Sequence, residues 1–381
     1  MVKKRKKLVI IVLVIIFMLC FPIKIFASDT ETATKELIDE VISMADYEKA
    51  DGYVEQYVSS RISFTELVHK IVNGDKNIAS YICEYVYDIF LYEFASIKKT
   101  IVSMLSLIIV FIIFNKITAG RGGYISDISF FMIYTALMTM LLGAFSVIGE
   151  VVVNGISGII NFLSAVIPAY ATTLVLTGNI SNAASFYSLM VAVLYILEWG
   201  LKVFVLPGIQ IYVLIELLNN VYEDKQFSKL AAMLFRTIRL VLKMMIVFVG
   251  GIGGIQTILG SAKDRISNNV ILKSISMIPG IGKVTGASGE IFVSCAVLVK
   301  NSVGIALLIL LILITVVPIA KVFIFSATYK VLAAILQPIS DKRIVDGIHS
   351  IASAGELYLN LLMNAMLLFF VSIAMVCVAG Y

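Results

Sequence analysis

The chain has 381 residues, 60% of them hydrophobic and 14% charged, with a mean hydropathy of +0.99. Soluble domains carry roughly 25% charged residues, so the composition excludes an ordinary soluble domain and identifies an integral membrane protein. The net charge of +5 hides a segregation: residues 1–27 hold 6 basic and 0 acidic side chains, residues 28–96 hold 5 and 14, and residues 97–381 hold 19 and 11.

Lys3, Lys4, Arg5, Lys6 and Lys7 precede an apolar run from Leu8 to Phe21 that is short for a span. This reads as a signal peptide over 1–27, cut after Ala27, with an uncleaved anchor as the alternative. Residues 28–96 then form an exported acidic domain. Leu37, Ile38, Val41, Ile42 and Met44 follow a helical stripe, and Ser63 with Glu66 has capping-box spacing ahead of Leu67, Val68, Ile71 and Val72. Ile78, Ile82, Tyr85, Val86 and Ile89 share a third face. A unit of this size has a marginal core alone, so it is expected to pack on the membrane region or on a partner. Tyr81, Tyr85, Tyr87 and Tyr92 offer either a docking surface or core and interfacial rings.

From 97 to 381 the chain reads as a multi-pass transmembrane domain. Charge-free stretches lie between Lys99 and Lys116, Asp127 and Glu150, Lys243 and Lys263, Lys300 and Lys321, and beyond Glu356. Each can hold a helix of about 20 residues. The uncharged stretch from Glu150 to Glu198 is too long for one span and is interrupted by Asn154, Gly155, Gly158, Pro168 and the polar turn Thr177 to Asn182. It is read as two helices, at about 156–178 and 184–206. The segment from Pro207 to Val221 is a short span or a re-entrant leg. The fold class is therefore all-α, a polytopic membrane protein of six to eight spans with a small exported helical domain. Loops at 116–127, 222–243 and 321–356 carry cations that suit the cytoplasmic side. The 261–300 loop, with Lys263, Arg265, Lys273, Lys283 and Lys300, does not fit that arrangement.

Nucleophile, metal and phosphate-loop constellations are absent from the sequence, so it is not read as an enzyme and no cofactor is expected. Three features stand out. Glu198 and Lys202 stand at i and i+4 in an apolar stretch; the spacing favours an ion pair that either lines a polar pathway or is structural. Val249 to Gly260, including Gly253, Gly254 and Gln256, and Ile278 to Gly289, including Pro279, Gly280 and Gly282, read as glycine-broken segments. Such segments either line water, as in transporters and channels, or pack helices tightly. Finally, Lys225, Lys229, Arg236, Arg239 and Lys243 interleave with Leu230, Met233, Leu234, Ile238 and Leu242. This basic amphipathic helix either lies on the anionic inner surface or binds a cytoplasmic partner.

Gly254-Ile255-Gln256-Thr257, the turn Ile278-Pro279-Gly280-Ile281-Gly282, and Leu336-Gln337-Pro338 followed by Asp341 and Arg343 occur here in an order and spacing that resemble the stage III sporulation protein AE family. The resemblance runs from the exported segment to the C-terminal span. It implies a multi-pass protein of the mother-cell membrane surrounding the forespore, part of a secretion-like channel complex required for endospore development. Its implied partners are the other stage III sporulation A proteins and stage II sporulation protein Q, in addition to the lipid bilayer; nucleic acid is not expected, and a homo-oligomer is compatible with the reading. The resemblance carries over no catalytic residues. A stand-alone secondary transporter would need midplane substrate groups at a repeat interface, and no convincing internal repeat is seen. A membrane scaffold without a conduit would tolerate apolar replacement of Glu198 and Lys202.

Overall fold

The computed structural model describes residues 64–73, 84–93, 123–176, 180–220, 226–264 and 287–379, with single positions between 40 and 113; 252–264, 287–296 and 371–379 are described by their backbone alone. The proposed signal peptide, most of 28–63 and the turn containing Pro279, Gly280 and Gly282 lie outside the described residues. Every regular element among the described residues is helical.

A short helix, α1 (Phe64–Val72), precedes a helical stretch at 84–93. Five long rods follow. The first is α2 (Gly123–Leu176); the second runs through α3 (Ile180–Tyr195), a π-helical segment (Ile196–Val205) and α4 (Leu206–Asn219). The others are α5 (Ser228–Asp264), α6 (Ala287–Leu336) and α7 (Lys342–Ala379). Among the described residues four stretches are long and apolar enough to cross a membrane: Tyr134–Leu176, Phe186–Asn219, Val297–Leu336 and Lys342–Phe370. At 54 residues, α2 rises about 80 Å, well beyond a hydrocarbon core of roughly 30 Å.

The break expected at Asn154 to Gly158 is not there. Helix α2 passes through it, because Gly155 is a contact point: a Cβ at this position would stand 2.9 Å from Pro318 Cβ of α6. Small residues let helices approach closely in a bundle. Pro207 likewise breaks nothing. Its ring would collide with the carbonyl four residues back in an α-helix, and the preceding turns are widened instead, with Leu206 N–H donating to the Leu201 carbonyl five residues back. The π register gives the ring room and the rod continues into α4.

Helix α7 is the hub, packed on α6, α5, α4, α3 and α2. Ile344, Ile348, Ile351, Leu357, Leu361 and Phe369 repeat at helical spacing and are buried. The α6–α7 hairpin closes through a tight turn in which Ser340 N–H donates to the Leu336 carbonyl at 2.9 Å. Asp341 then caps α7, its Oδ1 accepting from Arg343 N–H at 2.8 Å. The proposed loop at 321–356 is therefore helical apart from 337–341. Ser326 Oγ donates to the Ala352 carbonyl at 2.8 Å, and Lys330 pairs with Glu356 across the hairpin.

One end of the bundle gathers the start of α2, the α4–α5 connection and the α6–α7 turn. Tyr134 Oη donates to the Leu217 carbonyl at 3.4 Å, and Asn220 Nδ2 donates to Ser350 Oγ at 3.0 Å. The end of α5 and the start of α6 point away from this end, since α5 leaves it and α6 returns to it.

The amphipathic face read in α1 is buried: Leu67, Val68 and Ile71 join the common core, and α1 packs on α6. Burial is worth roughly 1.5–3 kcal/mol for each such side chain. In the 84–93 stretch Tyr85 packs against the core, whereas Tyr87 and Tyr92 are exposed. Phe90 meets Phe323 edge-on at 6.3 Å, and Glu93 pairs with Lys321 at 3.5 Å. Glu93 was expected outside and Lys321 on the cytoplasmic side, and the two assignments cannot both stand. The charge gap marks Lys321 as the residue that follows a span, but α6 continues past it to Leu336, so it is a mid-helix residue paired to the N-terminal region.

Candidate functional site

Glu198 and Lys202 both lie in the π-helical segment. Their expected ion pair is not among the salt bridges of the described residues; Lys202 Nζ instead donates to Ser157 Oγ of α2 at 3.3 Å. The half-buried Lys202 thus ties the second rod to the first, while Glu198 is exposed on the outer surface.

The same segment carries an exposed aromatic pair, Tyr195 stacked on Trp199 at 6.3 Å and 8° between planes. Amphipathic rings of this kind settle at membrane–water interfaces. Opposite them Gly200 is buried against α5, where a Cβ would come within 2.5 Å of Met245 Cε. Below it Gly208 faces Ile238 and Tyr212 packs on Phe235 at 5.4 Å. Helix α5 therefore runs antiparallel to the second rod, in register from Phe235 to Met245.

That packing corrects the reading of the basic helix as one lying on the membrane plane. Ala231, Ile238 and Leu242 are buried against the bundle, so α5 stands alongside α4. Gly253, Gly254 and Gln256 lie on its unbroken helical backbone. The glycine-broken segment expected from Val249 to Gly260 is thus a continuous helix, and its glycines free no backbone groups by breaking it. Pro279, Gly280 and Gly282 lie outside the described residues, so the polar groups singled out in the sequence are not gathered into one described site.

Other residues come forward. Lys300 is fully buried in α6, in the candidate span Val297–Leu336. An ionisable group in such a place is a functional candidate by its solvation cost alone. In the sequence it served only to mark the edge of the uncharged run to Lys321; a lysine directly abutting that run, between Val299 and Asn301, is the signal that could have found it. Asn219 and Asn220 are also buried, Asn219 Oδ1 accepting from Phe227 N–H at 2.9 Å and Asn220 bonding Ser350. Together they close the α4–α5 connection against α7. Leu336, Gln337, Pro338, Asp341 and Arg343, which carried part of the family resemblance, serve the hairpin turn and its cap.

Residues 62–380 match the family described as Stage III sporulation protein AE (spore_III_AE). The chain is also similar to Stage III sporulation protein AE of Bacillus subtilis (strain 168), 23% identical over 320 residues, covering 82% of this chain and 79% of that protein. No solved structure matches it. The family match begins just ahead of α1, so the helix packed on α6 belongs with the bundle as much as the spans do.

Proposed function

The chain belongs to the stage III sporulation protein AE family, and on that premise we propose that it is a multi-pass component of the secretion-like channel complex linking mother cell and forespore, seated in the mother-cell membrane that surrounds the forespore. Its partners in this reading are the other stage III sporulation A proteins and stage II sporulation protein Q. The observation that carries it is the family match over 62–380 on a chain with four helices, among its described residues, long and apolar enough to cross a membrane.

In the same reading the signal peptide is removed and residues 28–96 face outward. The Glu93–Lys321 contact supports an outward position for the Lys321 end of α6. The connection between α5 and α6, with Lys263, Arg265, Lys273 and Lys283, then faces the mother-cell cytoplasm; the Glu93–Lys321 contact and not the charge balance supports this orientation, because Lys229, Lys342 and Arg343 gather at the outward end. The loop that fitted poorly becomes the cytoplasmic one.

Within the complex a second role, scaffold rather than conduit, is favoured by one observation: Gly253, Gly254 and Gln256 lie on continuous helix. Purification of the tagged full-length chain from sporulating cells tests the proposal. Recovery with stage III sporulation A proteins and stage II sporulation protein Q is the expected result. Recovery alone, together with normal forespore development in a strain lacking the chain, overturns it.

A further inference from the structure

Beyond that role, the outer face of α5 has a pattern that fits neither lipid nor water. Leu230, Met233, Thr237, Leu240, Met244, Val247 and Gly251 follow one another at alternating spacings of three and four residues, and all are exposed. Met233 is 58% exposed, Leu240 59%, Met244 61% and Val247 70%. Nothing lies within 4 Å of a Cβ built on Gly251. These are the a and d positions of three consecutive heptads, the seam of a coiled coil. Lys229, Arg236 and Lys243 occupy three successive g positions, Lys229 the one just ahead of the first heptad, and are exposed as well.

Lipid is a poor occupant of this face. The cations are distributed along the same length as the apolar seam, and a cation near the bilayer centre costs about 2.5–3.5 kcal/mol on insertion scales. Water is equally poor, because it would leave a continuous apolar stripe exposed. A partner helix satisfies both features, its apolar knobs covering the seam and its charged flank meeting the cations.

The charges also decide between a second copy and another protein. In an antiparallel pairing of two copies, Lys229, Arg236 and Lys243 would face the same cations across the seam. In a parallel pairing they would face the e positions Leu234, Val241 and Phe248, which offer no counter-charge. The e side is in addition committed inward, since Leu234 and Val241 pack against the bundle's own core.

We propose that α5 between Lys229 and Gly251 is the docking seam for an amphipathic helix of another protein, with apolar residues at heptad a and d positions and Asp or Glu along the edge facing Lys229, Arg236 and Lys243.

The test places a photo-crosslinking amino acid at Leu240 of the full-length chain in sporulating cells and identifies the adduct by peptide mass spectrometry. The expected adduct lies in a segment of another protein with three-and-four apolar spacing and acidic flanking residues. Its yield should fall about tenfold in the K229E/R236E/K243E variant, as three ion pairs at a partly desolvated seam imply. A Gln triple variant at the same positions, which avoids introducing repulsion, should give an intermediate yield; the melting temperature of each variant reports that the bundle is intact. An adduct with lipid, with a second copy, or with a segment lacking the acidic heptad pattern overturns the proposal, as does the absence of any adduct or a yield indifferent to charge reversal in a folded variant.

Discussion

Lys202 of the π-helical segment reaches Ser157 of α2, its Nζ 3.3 Å from the hydroxyl oxygen, and so holds together two rods that are consecutive in the chain. It does not serve Glu198. Replacing Lys202 by Leu should therefore cost about 1 kcal/mol, the worth of one hydrogen bond. Glu198→Gln should be close to neutral, and the double variant should equal the sum of the two. A double-mutant cycle on thermal melting in detergent checks this: a coupling below about 0.5 kcal/mol is expected, and a larger one would restore the ion pair.

Two glycines of α2 should respond in opposite directions. Gly155→Ala drives a methyl to within 2.9 Å of Pro318 Cβ, a ring carbon on a neighbouring helix with little freedom to yield. Overpacking of this kind costs about 1–3 kcal/mol. Gly143 is exposed, and a Cβ there meets nothing within 4 Å. Gly143→Ala should gain about 0.5–1 kcal/mol through helix propensity. Melting curves of the two variants, measured in one detergent, should shift to opposite sides of the unsubstituted chain.

The helices were legible because apolar residues recur without interruption over long stretches, and the capping-box signal ahead of Leu67 correctly announced α1. Where the rods end was harder to read. In a soluble protein a glycine pair or a proline punctuates; here Gly155 accepts a neighbour's proline, and Pro207 is absorbed by a π turn. Charge gaps mislead in a related way. They mark span edges only when the flanking charge reaches water, and Lys321 has its partner Glu93 beside it, far away in sequence. The polar candidates failed to converge for the same reason: local spacing suggested Glu198 with Lys202, but the contact that formed is between rods.

Asp341 caps α7, and the hub helix depends on where its first turn begins. Asp341→Ala should lower stability by about 0.5–2 kcal/mol, while Asp341→Asn, which retains an accepting oxygen, should recover most of it. Equal loss in both variants would point to the Arg343 guanidinium, 3.3 Å away at Nε, as the contact that matters.

The N-terminal helix is held by its apolar face. Val68 is fully buried, and Val68→Asp would put an unpaired carboxylate into the common core at a cost of about 3 kcal/mol or more. Limited proteolysis should then cut between α1 and α2 in the variant and spare the unsubstituted chain. Lys70→Ala removes the Glu66–Lys70 pair, 2.8 Å apart and partly exposed, and should change stability by no more than about 0.5 kcal/mol. If both substitutions leave the proteolytic pattern unchanged, α1 is not anchored through Leu67, Val68 and Ile71.

The Glu93–Lys321 contact makes a statement about topology that the charges alone could not. From Lys321 to Leu336, α6 rises about 22 Å, less than the roughly 30 Å of a hydrocarbon core. Residue 92 and the α6–α7 turn therefore cannot lie on opposite sides of the bilayer. Single cysteines at the exposed Tyr92 and Ile339, in a full-length chain lacking its native cysteines, should both react with an impermeant thiol reagent in intact cells. Ser274→Cys, in the basic connection between α5 and α6, should react only after permeabilisation. Labelling of residues 92 and 339 from opposite sides would break the packing of the 84–93 helix on α6. Labelling of both from the inside, with 274 outside, would keep the packing and reverse the proposed orientation. The experiment thus separates the contact from the direction in which the chain is inserted.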